Sequence, residues 1–503
     1  MDQFRQLQPI RRLTALAGSE AAARLLAFVL LLALVRLLTL GSYPLMDTTE
    51  ARYAEISRVM VERNDWITPW NDATTPFWGK PPLAFWVTAL SLRLFGINEF
   101  AARLPHWFMG LAIAWLIWSL GVRRSRREGV IALALLWGSL MFLASAGSVM
   151  TDMALSLAVT ISMRAFWLTA YGEEKERRRE RWLFFVGLAL GLLAKGPIAL
   201  VLVLLPTGLW TIQSGQTRLI LPRFPWLRGL LLTLLIALPW YLLAEQRTPG
   251  FLDYFLLGEH WHRFVTPGWD GDRYGVAHKY PRGTIWLFLL VDVLPWSLLL
   301  PPMVLLTRRG RRAMKESFAF EPPWRSYLLF WGLAPAVFFS FAGNILWPYV
   351  LPGIPGLAVL GASWLDRWPA RAQIDRLLMG AIAFMLLLTL AFPFVCHRAA
   401  IATNNSAKAA VEAYLSLRRQ GEAILFIKRP YSALFYSLGS AEQAGDAEEL
   451  QRRLDGSSRD FIVLQRRQID ALPPALSGRI EMIRSFGRYT LFAERERSKH
   501  ALP

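Results

Sequence analysis

Apolar segments recur along this chain, and each is about as long as a membrane-spanning helix. An α-helix needs about 20 consecutive apolar residues to cross the core of a bilayer. The fifth segment is long enough for two helices and contains Lys195, Gly196 and Pro197, a combination that favours a break. The sequence therefore predicts an α-helical polytopic membrane protein with about 11 to 13 spans. The segments are 21–40, 100–121, 129–147, 151–171, 183–213, 228–245, 283–306, 325–342, 346–365 and 376–395.

The positive charges are grouped between the apolar segments. The formal net charge is +19 at pH 7, and short basic clusters stand at 123–127, 175–181 and 308–312. Loops rich in lysine and arginine stay on the cytoplasmic side of a membrane, so this spacing predicts cytoplasmic loops rather than a nucleic-acid surface. With eleven spans and a cytoplasmic N-terminus, the loops at about 41–99 and 246–282 face the periplasm of an inner membrane.

The composition changes near residue 397, where charged residues replace the apolar segments. The segments AILFIKRPYSALFYSLG and RDFIVLQRR are typical of strands, whereas AEELQRRL and residues 406–419 favour helices. These patterns predict a small periplasmic α/β domain at 397–503, after a membrane domain at 1–396. The single cysteine, Cys396, excludes an intramolecular disulfide.

Two carboxylates open the first periplasmic loop, directly after a membrane span. Asp47 and Glu50 are three residues apart and would share the first turn of a helix. The same spacing is typical of a helix cap, which needs no further function. Arg52 and Tyr53 follow at once, and this concentration of charged and aromatic groups at the membrane edge favours a functional site.

Three more ionisable residues stand at the predicted periplasmic ends of spans. Lys80, in FWGKPPLAFW, lies at lipid-headgroup depth, where an ammonium group can bind a lipid phosphate or simply reach the water. Asp152 begins one span and Lys195 ends another. Charged side chains at such places are costly and usually paired or functional, although Asp152 could also cap its helix with Thr151.

The second loop concentrates charged residues in GEHWHRFVTPGWDGDRYG. Arg263 is suited to bind a phosphate through two parallel hydrogen bonds. Glu259 and His260 could bind a metal, but their spacing does not match the helical pairs that usually do so. No cofactor is required, and divalent-metal dependence is left open. The chain has no ATP-binding loop, dinucleotide fingerprint, nucleophile elbow or zinc-protease motif, which argues against ATP-driven pumps and common hydrolases.

Six segments together resemble the superfamily of GT-C glycosyltransferases that contains the aminoarabinose transferases and the protein mannosyltransferases. The resemblance implies a GT-C fold, a polyprenyl-phosphate sugar donor and an active site on the extracytoplasmic side. The segments, in order between about 40 and 365, are DTTEARYAEISRVMVERNDWITP, PFWGKPPLAFW, FGINEFAARLP, MTDMALSL, LLAKGP and WPYVLPGIPGLAVL.

The resemblance also implies roles for particular residues. Asp47, Glu50 and Asp152 would serve catalysis, and Lys80 would hold the lipid phosphate. The remaining donor-binding residues that match the superfamily are Arg52, Tyr53, Lys195, Arg263 and Tyr349.

The match departs from the aminoarabinose transferases at three places, one of which is the lysine before Leu-Pro that is missing at Ile345-Leu346-Trp347. Their first motif resembles Asp-Glu-Thr-Arg-Tyr, whereas this chain spreads its carboxylates over Asp47 and Glu50 and places Thr49 at their aspartate position. Gly79 stands where they carry a glutamate before the lysine. These differences leave the identity of the sugar open.

The sequence thus predicts a glycosyltransferase that moves a sugar from an undecaprenyl-type phosphate to lipid A or another envelope acceptor. Asp47 would act as base or orient the sugar, and Glu50 would position Arg52 or the acceptor. Transfer to a protein is the alternative. A polyprenyl-lipid transporter is the rival class, but transporters concentrate polar groups at the membrane midplane and often contain inverted repeats. The charges of this chain collect at one face, and no repeat is visible.

Overall fold

The computed structural model describes residues 14–72, 74–275, 278, 280–308, 310–312, 322–455 and 459–495. Arg309, which belongs to the third basic cluster, lies outside them.

Long apolar helices form most of the molecule, which is a multi-pass membrane protein. Among the described residues, six helices are long and apolar enough to cross a membrane. Two bent helix pairs, with bends of 120° and 97°, would raise that number to eight. The six are Glu20–Leu38, Glu99–Gly121, Thr151–Tyr171, Trp226–Arg247, Trp347–Leu365 and Arg371–Arg398, and the bent pairs are Ile198–Gln213 with Thr217–Arg223 and Thr284–Asp292 with Trp296–Leu305.

The other predicted spans are helical but do not count among these, because they are interrupted or not apolar enough along their length. They correspond to Arg126–Trp137 with Leu140–Ser145, to Glu174–Lys195, and to Pro322–Phe339. The first turns of Glu174–Lys195 are strongly charged, which lowers its mean hydropathy. The predicted total of 11 to 13 spans therefore stays a prediction.

The predicted break after Lys195 is confirmed, since one helix ends there and the next begins at Ile198. Gly196 has a φ of +82°, and a Cβ atom at this position would lie 2.6 Å from the Phe255 ring. Only glycine is free of a side chain and adopts such a φ without strain. The break therefore brings the helix end against the second loop.

Two of the basic loops meet on one face of the molecule. Arg127 forms ion pairs with Asp366 at 3.1 Å and with Asp375 at 2.6 Å. Arg123 of the first basic cluster pairs with Glu176 of the second. The second cluster follows the C-terminal end of the helix Thr151–Tyr171, and Asp152 lies at the other end of that helix, about 30 Å away at 1.5 Å per residue. These two basic clusters and Asp152 thus occupy opposite faces.

The two loops of the other face are largely helical. The first contains two helices, Thr49–Arg63 and Leu83–Phe95. The second contains Phe251–Asp253, a π-helix at Tyr254–His262 and Arg263–Val265. A π-helix is rare and is often found at functional sites.

The C-terminal part forms a five-stranded sheet. Its strands are β1 (Ile424–Phe426), β2 (Glu442–Gln443), β3 (Phe461–Gln465), β4 (Ile480–Phe486) and β5 (Tyr489–Glu494), in the order β2-β1-β3-β5-β4. The strands β1 and β3 confirm two predictions, as do the helices Lys408–Leu417 and Ala447–Leu454. The second half of the first predicted strand is wrong, because Tyr431–Tyr436 is a helix. The further short helices are Ile401–Asn405, Arg466–Asp470 and Pro474–Ser477. The helix Arg371–Arg398 runs across the expected boundary at 396/397, which stays a prediction.

Candidate active site

A cavity of about 290 Å³ collects the cationic residues that were predicted to bind a phosphate. Lys80, Lys195 and Arg263 line it, although they come from the first loop, a helix end and the second loop. Apolar residues complete much of the lining: Pro197, Ile198, Val201, Phe264, Phe338 and Phe339. The cavity therefore combines cationic and apolar groups, which suits a lipid phosphate.

Glu259 holds two of these cations together. Its carboxylate accepts a hydrogen bond from Lys80 Nζ at 2.9 Å, and Arg263 Nη1 donates to both of its oxygens at 3.1 Å. Burial alone would raise the pKa of Glu259, but the charges of Lys80 and Arg263 outweigh burial and hold it below its ordinary value. Glu259 is therefore ionised near neutral pH.

Glu259 also places a carboxylate next to Lys80. The residue before the lysine, which is a glutamate in the aminoarabinose transferases, cannot do so here. Gly79 stands at that position, and a Cβ atom there would lie 2.8 Å from the Phe77 ring. The carbonyl oxygen of Gly79 accepts a further hydrogen bond from Lys80 at 2.5 Å. The ammonium group is thus held in place from two directions.

Asp152 and Lys195, which the sequence suggested separately, form one buried ion pair. Their side chains are 7% and 11% exposed. Lys195 Nζ also lies 4.5 Å from the centre of the Tyr349 ring, a cation–π contact. Asp152 has no side-chain cap bond at its helix start, so the capping interpretation does not describe it.

Arg52 and Tyr53 lie beside this cluster. Arg52 donates a hydrogen bond to the Tyr274 carbonyl oxygen, and its guanidinium lies 5.4 Å from the Tyr53 ring centre. Burial raises the pKa of Tyr53, and the charges of Asp152 and Glu259 raise it further. Among the described residues, the Nε atoms of Arg52 and Arg263 are buried without a hydrogen-bond partner. Both can still donate to an anionic ligand.

His260 is used by the backbone. Its Nδ1 lies 2.8 Å from the Phe255 carbonyl oxygen and its Nε2 lies 3.1 Å from that of Lys195. Burial lowers the pKa of His260. Among the described residues, no three His, Cys, Asp or Glu side chains come together as a metal site would need. Glu259 is an ion-pair partner of Lys80, and His260 contacts two backbone carbonyl oxygens, one in the second loop and one at the helix end.

Asp47 contacts the C-terminal domain. Its carboxylate accepts a hydrogen bond from the Ser432 backbone N–H at 3.0 Å and another from the Ser432 hydroxyl. Its own N–H donates to the Asn405 carbonyl oxygen at 2.8 Å. The helix that follows starts at Thr49 without a side-chain cap. Asp47 is therefore not a cap, and burial raises the pKa of its carboxyl above the ordinary value.

Glu50 is bound to Arg103. The guanidinium donates to both carboxylate oxygens, at 2.8 and 2.9 Å, and Arg103 is fully buried. The predicted contact of Glu50 with Arg52 is wrong, because Arg103 occupies both oxygens, whereas the alternative that Glu50 positions the acceptor stays a prediction. Burial would raise the pKa of Glu50, but Arg103 lowers it below its ordinary value.

Three residues that position the site were not singled out from the sequence. Asp272 lies 3.4 Å from Arg263 and adds a second carboxylate beside it. Arg103 occurs in the FGINEFAARLP segment, but the sequence did not predict that it is buried or that it binds Glu50. No sequence signal pointed to Ser432, because its contact spans 385 residues.

Comparison with known proteins places this arrangement in a family context. The family model for dolichyl-phosphate-mannose-protein mannosyltransferase matches residues 21–255. The undecaprenyl phosphate-alpha-4-amino-4-deoxy-L-arabinose arabinosyl transferase of Yersinia enterocolitica is 32% identical over 388 residues, covering 76% of this chain and 64% of that protein. The same enzyme of Serratia proteamaculans is 32% identical over 357 residues, covering 70% and 60%. The chain thus matches less than two thirds of the length of these relatives.

Solved structures show the same fold. ArnT from Cupriavidus metallidurans bound to undecaprenyl phosphate has a TM-score of 0.77 and 20% identity, covering 93% of this chain and 98% of that one. Its apo structure has a TM-score of 0.74 at the same identity. The predicted architecture, a GT-C helical membrane domain with a small C-terminal sheet, is confirmed.

Proposed function

Because the chain belongs to the superfamily of GT-C glycosyltransferases that contains the aminoarabinose transferases, we propose that it transfers a sugar from a polyprenyl-phosphate carrier to lipid A or another envelope acceptor. The membrane would be the inner membrane, and the site would face the periplasm. The basic loops on the opposite face support this orientation, since such loops stay in the cytoplasm.

The cavity shared by Lys80, Lys195 and Arg263 carries the proposal. Three cations among apolar lining residues suit one phosphate and the first isoprene units of its chain. The Nε atom of Arg263 offers a buried donor that no described residue uses. Undecaprenyl phosphate is the carrier in the names of the curated relatives and in one solved structure with this fold.

The reaction breaks the bond between the sugar and the phosphate oxygen. Negative charge then accumulates on the departing phosphate, and Lys80 and Arg263 would stabilise it there. Glu259 would fix the distance between the two cations before the donor arrives. Lys195 would be aimed by Asp152 and by the Tyr349 ring.

The acceptor hydroxyl must lose a proton as it attacks the sugar. Asp47 is proposed as the base or as the group that orients the sugar. Its raised pKa suits proton uptake, because a base works best with a pKa closer to the ambient pH. Glu50 is proposed to act through Arg103, which would hold the start of the first loop in place.

The acceptor class has two candidates. Lipid A follows from the names of the curated relatives, which are aminoarabinose transferases. A protein hydroxyl is the second candidate, because the matching family model describes protein mannosyltransferases.

One comparison tests sugar and acceptor together. Lipid A, envelope glycans and periplasmic proteins would be analysed by mass spectrometry from cells with and without the gene. A pentose or hexose increment that disappears with the gene, and returns with wild type but not with Lys80→Ala, is expected. Lys428→Ala removes an exposed lysine of the C-terminal domain and serves as the matched control. An unchanged spectrum in all three fractions would contradict the proposal.

A further inference from the structure

A second cavity, of about 520 Å³, lies in the other half of the helical bundle. Arg325 lines it, and Phe339 of the same helix lines the candidate active site. At 1.5 Å per residue the two are about 21 Å apart along the helix axis. The Arg325 end of the second cavity is therefore the end nearer the basic face, whereas Leu333 and Ile354 line the cavity closer to the candidate active site.

The walls of this cavity are almost entirely apolar. They come from five helices and the turns between them, and include Leu135, Val293, Leu300, Val304 and Leu357. Leu290 and Leu305 also line the cavity and are more than half exposed on the outer surface of the protein. The cavity is therefore open towards the surrounding lipid, and an acyl chain can enter it without crossing the protein.

Arg325 is the exception among these apolar residues. It is 1% exposed, and its one hydrogen bond runs from Nη2 to the Ser363 carbonyl oxygen at 3.4 Å. In the part of the chain that the structure describes, its Nε and Nη1 have no hydrogen-bond partner and no carboxylate pairs with it. A buried charge in a membrane is costly and is normally paired. Two donors of a fixed guanidinium fork are thus left available.

Other groups around the cavity also favour an anion. The indole Nε1 of Trp364, a lining residue, is buried without a partner among the described residues. The positive charges of Arg124 and Arg367 lie near enough to repel that of Arg325. The nearby Glu128 is already paired with Arg124 at 3.2 Å. The local field is therefore positive and faces an apolar chamber.

We propose that this cavity binds one anionic phospholipid of the leaflet opposite the donor site. The phosphate would lie on the Nε and Nη1 atoms of Arg325, a geometry that guanidinium groups favour for phosphate oxygens. One acyl chain would fill the apolar chamber. The site is separate from the donor cavity, and its occupant is not a substrate of the transfer reaction.

Lipid binding to the purified full-length chain tests the proposal. Delipidated protein in detergent would receive phosphatidylglycerol, phosphatidylcholine or glycerol 3-phosphate, with native mass spectrometry and melting temperature as readouts. One tightly held phosphatidylglycerol and a higher melting temperature are expected. Phosphatidylcholine should bind more weakly because its headgroup is zwitterionic, and glycerol 3-phosphate should bind weakly because it has no chains.

Arg325→Met should weaken phosphatidylglycerol binding by about tenfold or more, the value of a charge-assisted hydrogen bond. Arg371→Met removes an exposed arginine of the same face and should leave binding unchanged. Gly361→Leu keeps Arg325 but fills the chamber, since a Cβ there meets only the flexible end of Leu135. Gly361→Leu should also lose the lipid. If Arg325→Met fails to fold, Gly361→Leu serves as the test instead. Equal binding of both phospholipids by wild type, or undiminished binding by Gly361→Leu, would overturn the proposal.

Discussion

The Asp47 carboxylate accepts hydrogen bonds from both the backbone N–H and the hydroxyl of Ser432, a residue 385 positions later in the chain. Neighbouring contacts strengthen this junction. Tyr431 donates to the Asn71 side chain at 2.9 Å, and Tyr436 and Lys408 both donate to Glu99. The C-terminal domain therefore holds the first loop at the residue proposed to be the base.

Ser432→Ala should move the pH dependence of transfer. The Ser432 hydroxyl donates to the ionised Asp47 and so lowers its pKa, in opposition to burial. Loss of this bond raises the pKa further. Because a base must be ionised, activity falls as the pH falls through this pKa, so the acidic limb of the kcat/KM profile should shift to higher pH.

The control for that experiment is Ser416→Ala, which removes an exposed hydroxyl elsewhere in the same domain. Its profile should match that of wild type. An acidic limb that stays in place in Ser432→Ala, with normal stability, would show that Asp47 does not set it.

Asp47→Asn and Glu50→Gln should fail in different ways. Asp47→Asn keeps an oxygen for Ser432 and should fold normally, while kcat falls by about a hundredfold or more, the usual value of a general base. Glu50→Gln leaves the buried Arg103 without its carboxylate, which should lower the free energy of unfolding by about 3–5 kcal/mol. Thermal unfolding and transfer rate, measured on both, separate the two roles. Near-normal turnover in Asp47→Asn would remove it from the mechanism.

The sequence was informative where local rules apply. Apolar segments about 20 residues long marked the helices, and Lys195 to Pro197 marked the break between two of them, because glycine and proline act on the backbone next to them. Lys80, Lys195 and Arg263 could be chosen as candidate phosphate ligands from residue type and motif alone, and that role stays a prediction. Their convergence on one cavity could not be derived, since it depends on how three distant segments pack.

The ion pairs between residues distant in sequence could not be predicted from local sequence rules. From the sequence, Asp152 could also have been a helix cap, and Glu259 was a metal candidate with unsuitable spacing. The fold instead places Lys195 beside Asp152 and Lys80 beside Glu259. The pairing of Glu259 with Arg263 could have been predicted from the sequence, because the two residues are four positions apart on a helix. The misassigned strand at Tyr431–Tyr436 has a similar cause, since its aromatic residues favour strands but pack here against the first loop.

Lys80→Ala and Glu259→Gln should affect donor binding in opposite directions. Lys80→Ala removes a phosphate ligand, so kcat should fall by about two to three powers of ten and undecaprenyl phosphate should bind more weakly. In Glu259→Gln the carboxylate no longer competes with the phosphate for Lys80 and Arg263. Undecaprenyl phosphate should then bind more tightly, while kcat falls because the two cations are no longer held apart at a fixed distance.

Titration with undecaprenyl phosphate and a transfer assay measure these two effects separately. Lys428→Ala, at an exposed position, should change neither. Weaker phosphate binding in Glu259→Gln would mean that the carboxylate supports the site chiefly by preserving its shape.

The Asp152 and Lys195 pair can be tested as a unit. Asp152→Asn leaves Lys195 buried without its counter-ion, so the melting temperature should fall, with a loss of about 3–5 kcal/mol of stability. Adding Lys195→Met removes the second charge and should restore most of that stability, because neither ion then has to be buried. Transfer should stay low in the double variant, since the phosphate has lost a cation.

The matched control is the Arg164 and Glu180 pair, which is equally buried, with a distance of 2.8 Å, and lies near the basic face. Its double neutralisation, Arg164→Met with Glu180→Gln, should alter stability and leave the affinity for undecaprenyl phosphate unchanged, because the pair is far from the donor cavity. If the Asp152 and Lys195 double variant recovered both stability and normal transfer, the pair would be purely structural. Recovery of stability together with weaker binding of undecaprenyl phosphate places Lys195 at the phosphate, because loss of a merely structural ion pair does not selectively weaken the binding of an anion.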